Sequence, residues 1–171
     1  MRLVEWSISG RRVLSLAAAA AALGLVAPAP ANAAIEGVPF RAQLSGTAAF
    51  TSPTTVEFQG GGQAMYLGQF VSDGVAILGA PTGTCPGDVP GIPNVHTETL
   101  TAADGDQLVI RMVNFACPTG PFTFHGTGHW TVPGGTGRFE GVTGEGTIEG
   151  DANFETSTFA LTFTGMLGIT S

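Results

Sequence analysis

Side chains able to carry chemistry are scarce in this chain of 171 residues. It holds three histidines, two cysteines, one tyrosine and six arginines, with no lysine. Cys85 lies in the Pro/Gly-rich stretch PTGTCPGDVPGIP and Cys117 in NFACPTGP. An even cysteine count in an exported chain points to a disulfide, which would pin the loop to a strand end. A catalytic thiol would need a nearby base and an electropositive setting, and the surroundings here are acidic. Cys85, Cys117, His125 and His129 compose a Cys₂His₂ set. However, the segment HGTGH reads as strand, which places the two histidine Cα atoms about 13 Å apart. Two imidazoles on one zinc must each come within about 2.1 Å of it. No metal and no cofactor are expected.

Other constellations give way to local explanations. There is no G-x-S-x-G elbow, zinc-protease helix motif, Walker loop, dinucleotide fingerprint or EF-hand loop. Asp104 and Asp106 flank a glycine and suit a hairpin turn. Glu145 and Glu149 read as solvated strand positions. If the chain encloses a lumen, the side chains able to donate, accept or titrate there are Tyr66, His96, Arg111, His125 and His129. Arg111 stands out because Val109, Val113 and Phe115 share its face, and a cation among apolar groups needs a partner. Arg111, His125, His129 and Tyr66 are therefore the candidate ligand-binding residues. The alternative for Arg111 is a snorkelling side chain at a rim, or one paired with a structural acid.

The elements that must position these residues are strands. Beyond Ala34 no segment keeps a 3.6-residue apolar period, and glycine and β-branched residues are spread throughout. Strands are predicted near residues 42–50, 54–59, 63–78 (broken at Ser72-Asp73-Gly74), 95–102, 106–115, 121–132, 143–149 and 153–167. Asp104-Gly105 is a strong hairpin signal. Gly60-Gly61-Gly62 is expected to separate two strands, and Gly150-Asp151 to join the last two. Phe159, Leu161 and Phe163 share one face. Phe122, Phe124, Trp130 and Val132 share another, opposite Thr123, His125, Thr127, His129 and Thr131. About eight antiparallel strands suggest an all-β closed barrel or a sandwich.

The N-terminus reads as a secretory signal peptide, residues 1–33. Arg2, Arg11 and Arg12 precede a 14-residue apolar run, Val13 to Val26, and Ala31-Asn32-Ala33 suits cleavage between Ala33 and Ala34. That run is too short for a membrane span of about 20 residues. Arg11-Arg12 leaves the choice between general secretion and twin-arginine export open. Residues 34–171 then form one domain, secreted or extracytoplasmic, without stable membrane insertion. It carries three arginines against twelve acids, a formal charge of −9. Such a surface argues against nucleic acid, whose phosphates attract clustered Lys and Arg.

The segment HWTVPGGTGRFEGVTGEGTIEG, residues 129–150, resembles a pattern of the barrels related to allene oxide cyclases and plant dirigent proteins. It is most similar to small exported bacterial proteins of that barrel type. LTAADGDQL (100–108) and GGQAMYLGQF (61–70) support the resemblance more weakly. It implies a single antiparallel β-barrel of about eight strands, monomeric or a small homo-oligomer, and it carries no active site across. The motif itself suits a structural turn. Gly134, Gly135 and Gly137 permit a reversal, Phe139 anchors it, and Gly141 and Gly144 permit a second bend. Arg138 is expected to pair with a neighbouring acid or stack on an aromatic.

Three functions fit these residues. The first is a binding or structural barrel for a small apolar or oxygenated ligand, or with a role at the cell surface. The second is a cofactor-free isomerase or cyclase that orients its substrate in the lumen. The third is a secreted module that binds a protein partner through an outer sheet face, which would need an exposed apolar patch. The scarcity of titratable groups favours a non-enzyme.

Overall fold

The computed structural model describes residues 36–169. The expected signal peptide, residues 1–33, and its expected cleavage point between Ala33 and Ala34 lie outside the described residues. Nine strands follow one another: β1 (Glu36–Ser52), β2 (Thr55–Ala64), β3 (Gly68–Leu78), β4 (Thr82–Cys85), β5 (Val89–Ala102), β6 (Gln107–Pro118), β7 (Thr123–Gly135), β8 (Thr143–Asn153) and β9 (Thr158–Ile169). A single 3-10 turn, Gly137–Phe139, interrupts them between β7 and β8. All neighbours pair antiparallel, and pairing of β3 with β5 closes the sheet on itself. The result is an eight-stranded barrel, with the four-residue β4 added outside on the start of β5.

Register fixes the size of the barrel. One row of paired residues runs Phe50, Val56, Ala76, His96, Met112, Trp130, Gly146, Gly165 and back to β1 at Phe40. The circuit returns 10 residues along β1 from its start. A stagger of that size on eight strands implies a tilt of roughly 40° and an interior that side chains can fill.

Trp130 fills much of it. The residue is buried, and its indole reaches the Phe40 ring edge-on at a centroid distance of 5.4 Å. Its Nε1–H donates to the carbonyl of Thr147 at 3.0 Å and to that of Thr164 at 3.3 Å. The indole lies where side chains of Gly146 and Gly165 would otherwise stand. A Cβ at Gly146 would come 2.7 Å from Nε1, and one at Gly165 2.6 Å from the ring. Leu44, Leu100, Leu108, Ile110, Met112, Phe163 and Leu167 complete the core. At the barrel end formed by the β1–β2, β6–β7 and β8–β9 connections, Phe154 packs on Phe50 at 4.7 Å and on Phe124 at 5.8 Å.

At the opposite end, the Gly-Thr-Gly-Arg-Phe segment behaves as a clamp. Arg138 pairs with Asp104 and Asp106 of the β5–β6 turn, and its guanidinium lies 4.8 Å from the Phe139 ring centroid. Both roles expected of Arg138 are therefore present. Phe139 is buried beneath it. Gly141 has a left-handed φ of 75°, whereas Gly144 makes room for Leu167 instead of bending the chain.

Several expected boundaries move. Ser72-Asp73-Gly74 does not break a strand: β3 runs through it, and the reversal falls at Met65-Tyr66-Leu67, where Tyr66 takes φ 69°. Gly60-Gly61-Gly62 lies inside β2, because Gly46 and Gly60 let β1 and β2 approach more closely than side chains would allow. Gly150-Asp151 lies inside β8. The last reversal follows Asn153, whose Oδ1 accepts from the amides of Glu155 and Thr156. Strand β4 was not foreseen within its Pro/Gly-rich stretch.

Cys85 and Cys117 form a disulfide with Cα atoms 5.6 Å apart, tying the β4 end to β6. The bridge spans 32 residues, for which the chain-entropy model gives a stabilisation of about 3–4 kcal/mol. The Cys85→Ser/Cys117→Ser variant is expected to lose about that much in denaturant unfolding, with its native β-sheet spectrum unchanged. A loss under about 1 kcal/mol would mean that β4 is held by its strand pairing alone.

Candidate functional site

Alternation along β5 sends Asn94, His96, Glu98, Leu100 and Ala102 inward, while Val95, Thr97, Thr99 and Thr101 face out. His96 and Glu98 thus become neighbours on the inner wall. His96 Nε2 and Glu98 Oε2 lie 2.7 Å apart and share a hydrogen bond. The two side chains are 3% and 0% exposed. The Phe58 ring stacks on the imidazole at 4.3 Å. Gly74 stands opposite Glu98 in register, and any side chain there would collide with the carboxylate. Ser72 Oγ and Glu98 Oε1 are buried without a protein partner.

An imidazole–carboxylate pair is capable of proton transfer, but only to a substrate atom within about 3 Å. Around this pair Val56, Phe58, Ala76, Ile110 and Met112 are all buried. Open grooves of the molecule run along the outer wall instead. One of about 470 Å³ is bordered by Thr127, His129, Thr147, Glu149, Thr162 and Thr164.

None of the four candidate ligand residues reaches the lumen. Arg111 is exposed on the outer wall, opposite Thr97 and Thr131. His129 is exposed on the same wall, opposite Val113 and Thr147. His125 is on that face as well, with Nδ1 2.9 Å from Asp151 Oδ1. Tyr66 sits in the β2–β3 turn and is 45% exposed. The physical reason is the register of β6. Leu108, Ile110 and Met112 fill the lumen, so Val109, Arg111 and Val113 point outward. Arg111 has apolar neighbours because this part of the outer wall is itself apolar. The disulfide also takes Cys85 and Cys117 out of any four-ligand metal set.

That apolar sector is ordered. Ile77, Val95 and Val113 lie directly opposite one another across β3, β5 and β6. They are 53%, 37% and 53% exposed. The next row runs Glu57, Val75, Thr97 and Arg111. Val75 and Val71 are exposed too, and a shallow groove of about 380 Å³ passes between Glu57, Asp73, Val75 and Thr99. Among the described residues Arg111 makes no ion pair.

Glu98 and this valine row are the features that sequence reasoning missed. A signal for the first was present: in HTETLTA, His96 and Glu98 share a period-two face with Leu100, opposite three threonines. No protein-family model matches the chain, and no curated protein is similar to it.

Breaking the buried pair should be costly, because it strands one polar group in the core. Glu98→Leu is expected to destabilise by about 3 kcal/mol in urea unfolding. The His96→Leu/Glu98→Leu double variant should recover most of that, since an apolar pair of similar volume leaves nothing unpaired. A single-variant loss below about 1 kcal/mol would indicate that water reaches the pair.

Proposed function

We propose that this protein is an extracytoplasmic, non-enzymatic binding barrel that works through its outer wall. The observation that carries this reading is the exposed, in-register row Ile77, Val95 and Val113 on a wall whose inner side is occupied by core residues. Solvent-facing positions of sheets are ordinarily polar, and grouped apolar residues there mark contact surfaces. The remaining walls follow the ordinary pattern. Gln43, Gln63, Glu145, Glu149, Thr162 and Thr164 are outward-facing, with Met166 and Phe50 as isolated exposed apolar residues, and most apolar residues lie within. A membrane-spanning barrel has the reverse arrangement, with an apolar band outside.

The disulfide and the signal-like residues 1–33 support an extracytoplasmic location. The eight-stranded closure supports kinship with the allene oxide cyclase and dirigent-like barrels. Both the lumen-ligand and the isomerase readings require a molecule beside His96 and Glu98, where Phe58 and Met112 already stand.

Amide chemical-shift mapping with a small apolar probe, 1-naphthol, separates these possibilities. Shifts are expected at Ile77, Val95 and Val113 and their strand neighbours, and none at Phe58, His96 or Glu98. Saturable shifts centred on His96 and Glu98 would overturn the outer-wall reading and return function to the lumen.

A further inference from the structure

We propose that the outer face of β3, β5 and β6 is a self-association surface, on which two copies of this chain pair face to face about a two-fold axis running along β5. This rests on the outer-wall reading above and commits it to one partner.

The argument is one of self-complementarity. A two-fold axis along β5 sets β3 of one copy against β6 of the other. Because Ile77, Val95 and Val113 occupy one row, Val95 then meets its own copy at the axis, and Ile77 meets Val113 on either side. Val95 is thus buried against its own copy at the axis, at the sheet-to-sheet spacing of about 10 Å, and Ile77 and Val113 line the two sides of that contact where the walls begin to curve apart.

Charge obeys the same operation. On the next row, Arg111 of one copy falls over Val75 of the other. Glu57 is the in-register neighbour of Val75 on β2, and Asp73 lies two residues along β3 on the same face. Each copy therefore offers one cation, Arg111, on one flank of the axis and one carboxylate, Asp73, on the other, with Glu57 a further strand round the barrel. The two-fold brings cation to carboxylate twice. Barrel curvature opens a gap away from the axis, and an arginine is long enough to cross it. Thr97 and Thr99 between the flanks are neutral, so no like charges are opposed.

Four strands and four outward rows cover on the order of 400 Å² per copy at ordinary strand spacing. A standard stable interface uses about 800 Å² per partner. The pair is accordingly weak and forms where the protein is concentrated.

Sedimentation equilibrium of the purified protein between 10 μM and 1 mM tests this. A monomer–dimer equilibrium is expected. Val95→Asp, which opposes two carboxylates at the axis, should leave a monomer at 1 mM with an unchanged β-sheet spectrum. Arg111→Glu should weaken pairing at least tenfold, and the Arg111→Glu/Glu57→Arg/Asp73→Arg variant should restore it to within about threefold. A trimer, a dimer that survives Val95→Asp, or failure of the charge-swapped variant to recover would overturn the proposal. A strict monomer at 1 mM would also overturn it. If 1-naphthol still mapped to Ile77, Val95 and Val113, that result would leave the outer-wall reading standing with a different partner.

Discussion

The barrel depends on one steric arrangement: a tryptophan laid across two strands that lack side chains. A circuit that closes with a stagger of ten residues on eight strands encloses a lumen just wide enough for side chains to fill. Trp130 supplies the volume, while Gly146 and Gly165 supply the floor on which its indole rests. Its one polar atom is satisfied by the carbonyls of Thr147 and Thr164, so burial of the ring carries no unpaired donor. A side chain at either glycine would displace the indole or separate β8 from β9. The glycine-rich segment after Trp130 thus supplies both the turn that ends β7 and, at Gly146, one half of the seat that receives its largest side chain, Gly165 of β9 being the other half. The Arg138 clamp to Asp104 and Asp106 then holds that turn to its neighbour.

The same economy of space explains the polar pair within. Glu98 fits only because Gly74 faces it, and His96 is held between that carboxylate and the Phe58 ring. A hydrogen-bonded pair of this kind contributes little net stability compared with apolar residues of equal volume, yet it is costly to break. It specifies register. Sliding β5 by one residue against β3 would expose Val95 to the lumen and drive both polar groups to the surface. In a barrel whose outer face is partly apolar, ordinary inside–outside patterning specifies register weakly. A buried polar pair with only one position that accepts it removes the ambiguity.

That ambiguity also sets how much was legible in the sequence. The all-β class, most of the strands, the Asp104-Gly105 turn and the Cys85–Cys117 bridge followed from local patterns, because turn chemistry and period-two alternation are local properties. The fate of the glycines did not. Gly60, Gly74 and Gly150 looked like turns, but each is required by a neighbour distant in sequence: Gly46, Glu98 and β9, respectively. Arg111 was misplaced for a related reason. Both faces of β6 are apolar, so periodicity alone could not say which one is the lumen. Only its pairing with β5 and β7 decides that Ile110 and Met112 face in and Arg111 faces out.

The division of the outer wall follows from there. On β7, β8 and β9 the outward residues are mostly threonine, histidine and acids, with Met166 the one large apolar exception. On β3, β5 and β6 valines and an isoleucine stand among the threonines of β5, with Asp73 on one side and on the other Arg111, which makes no ion pair among the described residues. No demand of the barrel's own fold explains this second sector, since the lumen is already filled from the other side and β-propensity would be served equally by threonine. Exposed β-branched residues on three adjacent strands also invite nonspecific association. Confining them to one sector with charges of opposite sign on its two flanks limits that hazard, because a wrong register opposes like charges. On the proposed reading, the apolar row that would hold a partner is flanked by the charges that would make the contact selective.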